Sequence, residues 1–441
     1  MILYGKIMVG VIMKAKVSEC MRVANLGPIE QCEIALAQQT ILIGENNSGK
    51  TYISYLLYGV LKTADVLKDR ILKHYIVQQP ITGGVMVIDK QKLQDHLLRE
   101  LVKQLNMAIP SELPKIFNLP ATEFAQTSVT LEQSDVEFLI GAKTKGFPNS
   151  ITLKDSAFQS DMYLQLTQDE QAWHLNLQFI ANQEDYNEAL FYAGAFRLLR
   201  AHVFTTAHSI YFPAERNGIN VFRKELLTQR SIQSFDLTNE IEQERYPLAI
   251  ADYMKYLANS SLKKVGKDRV LWQGFSRDIL CGHYDYDAEL NEYFYREAAA
   301  ESKRIPLKST SSSTKSLFGL ATYIRHEYQV GDVIFIDEPE MNLDPMHQIE
   351  MANFLVELTA AGVYVVISTH SDYLLRATTN ALLKRKVAQL PEVSIEGYYF
   401  TKNQVSPLGK LSEVDTIEIF DNMNAVLEDE YFRLLDRLRG D

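Results

Sequence analysis

The stretch that most restricts how this chain can fold is Gly44-Glu45-Asn46-Asn47-Ser48-Gly49-Lys50-Thr51, which satisfies G-x-x-x-x-G-K-[ST]. A short apolar run, Ile41 to Ile43, enters it. Ile53, Leu56, Leu57, Val60 and Leu61 leave it at helical spacing. Strand, glycine loop and helix in that order form an anion cradle, because the glycines let backbone N–H groups curl around phosphates and the helix N-terminus adds partial positive charge. Lys50 is placed to reach the β and γ oxygens and Thr51 to offer a hydroxyl to Mg2+. Gly44, Asn46, Asn47, Ser48 and Gly49 line the loop.

A loop of this kind sits at the edge of a parallel sheet, and two later stretches read as its neighbours. Val333 to Ile336 is a four-residue apolar run of the type buried on both faces. It delivers Asp337 and Glu338 at its carboxyl end, where ligands of open α/β sheets bind. Asp337 suits the Mg2+ shell, and Glu338 suits the acceptor that polarises an attacking water. Two adjacent buried carboxylates are costly without a cation to face. The run "VYVVISTHS" ends a further strand at Thr369, with His370 at its tip, able to hydrogen-bond a γ-phosphate and the water.

The 441 residues allow about two to three domains. A net charge of −11 argues against a surface broadly coated for nucleic acid, and leaves a local basic groove open. Cys20, Cys32 and Cys281 are odd in number and lack zinc-like spacing, which predicts reduced thiols in a cytoplasmic protein. The apolar start is interrupted by Lys6, is too short to span a bilayer and has no cleavage site, so no membrane association is expected. Met1 and Met13 both stand as starting residues.

Along the chain, Lys14 to Ile43 reads as two or three strands, with Gly27-Pro28 as a turn, and 65–125 as helix-like. Residues 127–180 read as strands, 184–208 as helix, and "SIYFPAERNGI" as a strand with its exit. Residues 219–300 are polar and read as helix-rich. Within them "CGHYDYD" has a superficial metal-ligand spacing and reads as a solvated loop. "LKSTSSSTKSLFGLATY" is a serine cluster opening a helix, with hydroxyls and a helix N-terminus suited to an anion, or a plain N-cap. The 23 tyrosines serve either a partner surface or the core.

Asp337-Glu338-Pro339-Glu340-Met341-Asn342-Leu343-Asp344, followed by His370, resembles the ABC-type D-E-P-x-x-x-L-D element with its switch histidine. With "LGPIEQCEIAL…TILIGENNSGKT" and "IYFPAERNGI", the chain resembles the ABC-class ATPases of the SMC/RecF/OLD group, often labelled AAA family ATPases in bacteria and common in anti-phage systems. The resemblance implies an α/β P-loop NTPase with an ABC-ATPase-like head, a mixed sheet, and α+β and helical insertions. It implies ATP and Mg2+ as ligands and ATP hydrolysis. Asp344 would communicate across a dimer. Ser312 and Ser313 stand in the place of the signature motif that reaches the γ-phosphate of the other subunit, with Thr314 near the usual glycine.

The implied assembly is a homodimer or higher oligomer sandwiching nucleotide between heads, with a separate effector protein, a nuclease or toxin, and DNA as a further candidate partner. Glu215 and Arg216 either approach the nucleotide or form an ordinary ion pair. Gln78 and Gln79 are weak candidates for the Q-loop.

The expected division is 13–70 for the first part of the ATPase core and 71–205 for a helix/strand insertion. A return strand follows at 206–218 and a helical insertion at 219–300. Residues 301–405 form the second core part and 406–441 a helical tail. A fused Toprim nuclease is not expected, because the residues after His370 must also complete the sheet. DNA repair of RecF/SMC type, and a nucleotide-sensing scaffold with little turnover, remain alternatives to a defence switch.

Overall fold

The computed structural model describes residues 21–140, 149–155, 160–179, 188–204, 208–223, 246–259, 270–299 and 303–411, together with 431, 433 and 434. In chain order, β1 (Met21–Leu26) and β2 (Ile29–Ile34) form a hairpin, and β3 (Gln39–Gly44) runs into the glycine loop. The long helix α1 (Lys50–Val77) leaves that loop. After it come β4 (Val85–Asp89), α2 (Lys90–Phe117), β5 (Ser128–Thr130), β6 (Ser150–Asp155), β7 (Ser160–Gln168), β8 (Ala172–Phe179) and α3 (Glu188–Val203). The chain then returns through β9 (Ser209–Phe212) and a helix α4 (216–223).

Next are α5 (Leu248–Asn259), α6 (Val270–Asp278), β10 (Gly282–Asp287), β11 (Glu292–Glu297) and β12 (Arg304–Pro306). The remaining elements are α7 (Ser312–His326), β13 (Val333–Asp337), α8 (Pro345–Ala360), β14 (Tyr364–Thr369), α9 (Asp372–Val387), β15 (Ile395–Phe400) and β16 (Asn403–Lys410).

Nine strands form one mixed sheet in the order β5-β1-β2-β16-β15-β3-β14-β13-β9. Its half from β15 to β9 is parallel, so the loop after β3, Asp337 at the end of β13, His370 after β14 and Pro213 after β9 all lie at the same edge. The other half mixes in antiparallel pairs. Alternation along each parallel strand divides the apolar side chains between two cores. Val333 and Phe335 pack with α1 and α2, whereas Ile334 and Ile336 pack with α7, α8 and α9. All five β13 residues are buried, as the apolar run predicted.

Three expectations are corrected. The stretch 65–125 is not continuously helical. Gly83 and Gly84 both take positive φ (59° and 74°), break the chain, and release β-branched Val85, Val87 and Ile88 into β4, which joins the antiparallel sheet β4-β8-β7-β6.

The second correction concerns 219–300, which among the described residues also holds the hairpin β10–β11. "CGHYDYD" is mostly strand rather than loop, because Tyr284 and Tyr295 turn inward. The outward Asp285 and Asp287 meet Arg296 and Arg304 across the strands. Third, the segment from 406 begins as strand, since β16 runs to Lys410 and pairs with β15; most of 412–441 lies outside the described residues. Among the described residues, no helix is long and apolar enough to cross a membrane.

Candidate active site

Two glycines set the shape of the loop. Gly44 takes φ 145°, and a Cβ there would stand 2.0 Å from the carbonyl oxygen of Phe400 on β15. Gly49 takes φ 99°, and a Cβ there would press on Ile29 at 2.6 Å. A side chain at either place would force the loop away from the sheet. Gly49 caps α1 without any side-chain hydrogen bond, so the first-turn N–H groups face the loop. Ser48 Oγ donates to the Glu45 carbonyl (2.7 Å) and closes the turn. Asn46, Asn47 and Thr51 are exposed at its rim.

Lys50 is buried under the loop, and its Nζ donates to the carbonyls of Gly44 (3.0 Å) and Glu45 (2.5 Å). Burial lowers its pKa to about 8, with Glu338, Asp337, Glu340 and Glu45 pulling it back up. Four carboxylates therefore lie close enough to act on the ammonium.

Asp337 is 3% exposed, and both its oxygens are hydrogen-bonded. Oδ1 accepts from Ser368 Oγ on β14 (2.6 Å), and Oδ2 accepts from the Tyr211 hydroxyl on β9 (2.7 Å). Tyr211 also shares a hydrogen bond with Ser54 of α1 (2.9 Å), which ties three elements to one carboxylate. Burial pushes Asp337 up to about 6, against the lowering effects of Ser368, Tyr211 and Arg216. Most of it is still ionised at neutral pH.

Glu338 holds φ 46°, a left-handed conformation that is strained for a residue with a Cβ. Three hydrogen bonds fix it. Its N–H donates to the Ser368 carbonyl (2.8 Å), while its carbonyl accepts from the Met341 N–H (3.0 Å) and from Arg216 Nη2 (2.6 Å). Arg216, expected at the nucleotide or in an ion pair, is buried and donates to backbone carbonyls instead. Its Nη1 reaches those of Asp337 (2.5 Å) and Pro213 (3.1 Å). It braces the acidic turn from behind.

His370 sits exposed at the tip of β14. Local burial and the Lys50 charge lower its pKa, opposed by Glu338, Glu340 and a hydrogen bond with the Gly44 backbone. Glu340 links the two strands, since its Oε1 accepts from Thr369 Oγ1 (2.6 Å) and from the His370 N–H (2.9 Å). The sequence reading did not single out Tyr211, Ser368 or Glu340. Tyr211 and Ser368 carried no signal beyond their positions near strand ends, and Glu340 stood inside the quoted motif without a role.

Lys50, Asp337, Glu338 and His370 thus share one edge, while Ser312, Ser313 and Asp344 stand at the N-termini of α7 and α8. Ser311 N-caps α7 by accepting from the Thr314 N–H (3.2 Å), and its hydroxyl meets those of Ser313 and Thr314 (2.8 Å each). Ser312 is exposed. Asp344 N-caps α8 and pairs with His347. Gln78 and Gln79 lie at the far end of α1 and bond locally to His74 and Tyr75.

This donor set fits a nucleotide with a divalent cation, because a cradle of N–H groups and a buried ammonium face a carboxylate whose ionisation burial resists. The chain matches a family described as an AAA ATPase domain over residues 19–375. No curated protein matches it. Among solved structures it is similar to an SMC head bound to the C-winged helix domain of ScpA, at 11% identity and TM-score 0.34, covering 89% of this chain and 98% of that one. The SMC head domain from Thermotoga maritima gives 10% identity and TM-score 0.33, over 89% and 98%. CbiO1 from Clostridium perfringens, part of an ABC transporter complex, gives 12% and 0.29, over 95% and 99%.

Proposed function

The chain belongs to the AAA ATPase domain family, and on that footing we propose that it binds ATP with Mg2+ and hydrolyses it in a site completed by a second copy of itself. The observation that carries this reading is the convergence of Lys50, Asp337, Glu338 and His370 at the carboxyl edge of one parallel sheet. The loop N–H groups, Asn46, Asn47 and Lys50 would hold the phosphates. Thr51 and Asp337 would hold Mg2+, which when bound supplies positive charge to the phosphate oxygens.

Glu338 would accept a proton from the water that attacks the γ-phosphorus, while the bond from that phosphorus to the bridging oxygen breaks and ADP leaves. His370 would hydrogen-bond the γ-phosphate and so register its presence. Glu338→Gln protein is expected to keep ATP affinity within about threefold and lose at least about a hundredfold in phosphate release, the range of a positioned general base. Undiminished phosphate release from that variant would sink the assignment.

Ser312 and Ser313 of one copy would complete the site of the other, and Asp344 would sit at the shared face. Nucleotide-driven association of the heads would act as the switch. Its output would be a separate effector, a nuclease or toxin, in anti-phage defence, with DNA as a further ligand. The acidic balance of the chain favours a protein effector over a broad nucleic-acid surface. The segments 71–205 and 219–300 would carry that contact, set between the core parts at 13–70, 206–218 and 301–405.

A further inference from the structure

Three side chains, one before β10 and two at the start of α8, meet beside a groove. Cys281 lies between α6 and β10, exposed, with φ 53°. Its carbonyl anchors that strained conformation by accepting from the Ala298 N–H (3.0 Å) and the Tyr295 hydroxyl (3.0 Å). Its Sγ lies 3.8 Å from Nε2 of His347 on α8. The other ring nitrogen, Nδ1, lies 2.5 Å from Oδ2 of Asp344. A groove of about 430 Å³ opens beside the sulfur, with Trp272, Ser276, Arg277 and Glu297 in its walls.

The Asp344 carboxylate favours a proton on Nδ1, which leaves Nε2 as the acceptor facing the sulfur. Nucleophile, base and orienting carboxylate in series is the arrangement that activates a thiol. The other charged or titratable groups near the sulfur are Arg277, which is tied to Asp278 and feels Glu350, and Glu297 and Tyr295 from β11. Cys32 is the contrast. It is buried in the main core, and burial pushes its thiol up to about 12, so it stays protonated at neutral pH.

We propose that Cys281, with His347 and Asp344, is a modification site that exchanges with low-molecular-weight disulfides seated in the groove. In the exchange the Cys281 proton passes to His347 Nε2 and the sulfur attacks one sulfur of the disulfide. A new S–S bond forms as the old one breaks, and the second half leaves as a thiolate that recovers the proton. Cys281 is oxidised to a mixed disulfide and the departing half is reduced. No second chain is needed.

The test is adduct formation by oxidised glutathione on the full chain carrying Cys20→Ser, followed residue by residue by mass spectrometry. An imidazole that takes the thiol proton during the attack is expected to speed exchange about threefold at pH 7. Cys281 should therefore gain its adduct about threefold faster at pH 7 than in the protein that also carries His347→Gln. The ratio should approach one by about pH 9.5, where thiols ionise unaided. Equal rates at all these pH values, in proteins with matching thermal unfolding, would overturn the proposal. Should His347→Gln fail to fold, the Cys20→Ser protein alone decides: reaction slower at Cys281 when folded than in urea overturns it, and faster supports it.

Discussion

Lys50 shows how one buried charge couples folding, pH and ligand. Burial holds its folded pKa at about 8, against an ordinary value of 10.5. Between those values the unfolded chain carries more of this proton than the folded chain, so the contribution of Lys50 to stability rises with pH across that window. Its contribution to phosphate binding runs the other way, because the neutral amine offers no charge. If only the ammonium binds, apparent ATP affinity should weaken about eightfold from pH 7.5 to pH 9, the fall in its protonated fraction. Isothermal titration at fixed free Mg2+ would measure this, and Lys50→Arg, always charged, should flatten the profile. A wild-type profile flat across that range would remove Lys50 from the phosphate site. Asp337 is tuned the opposite way: burial raises it to about 6, so its charge is costly until a cation faces it.

At the scale of elements, the N-terminus of α7 separates a capping serine from the exposed serine proposed for the nucleotide site of a second copy. Ser311 is the cap, while Ser312 is exposed and outside that hydroxyl cluster. Ser311→Ala should cost about 1 kcal/mol in urea unfolding, and Ser312→Ala less than about 0.5 kcal/mol. Ser312→Ala should instead lower ATP turnover. Unchanged turnover would leave the cluster as a cap alone. Periodicity found this helix, as it found β13, because both patterns are local. It missed β4, where two glycines hide a strand between helical runs. It also missed β10, whose Tyr284 is buried only because β11 and α7 cover it. Among the described tyrosines, Tyr58, Tyr211, Tyr253 and Tyr323 lie inside the cores, whereas Tyr373 and Tyr431 are exposed.

For the whole molecule, the proposal of a site shared between copies makes a complementation test possible. Lys50→Ala removes one half of each site and Ser312→Asp the other half, so each variant alone should be inactive. An equal mixture that exchanges subunits should recover about a quarter of wild-type turnover, because half the dimers would be mixed and each would hold one intact site. Steady-state phosphate release measures it, and a mixture no more active than its parts would argue for a site complete within one chain.

Local chemistry alone determined the glycine loop, the buried acidic strand and the histidine strand tip, because each is a short run whose residue types dictate its conformation. Only the tertiary structure decided what surrounds them. The strand order brings Tyr211 and Ser368 to Asp337, and it sets Arg216, which the sequence left open between a nucleotide contact and an ion pair, against the carbonyls of the Glu338 turn. These partners stand 126, 31 and 122 residues apart along the chain. Hydrogen bonds across such spans follow from sheet registry and burial, which no local pattern encodes.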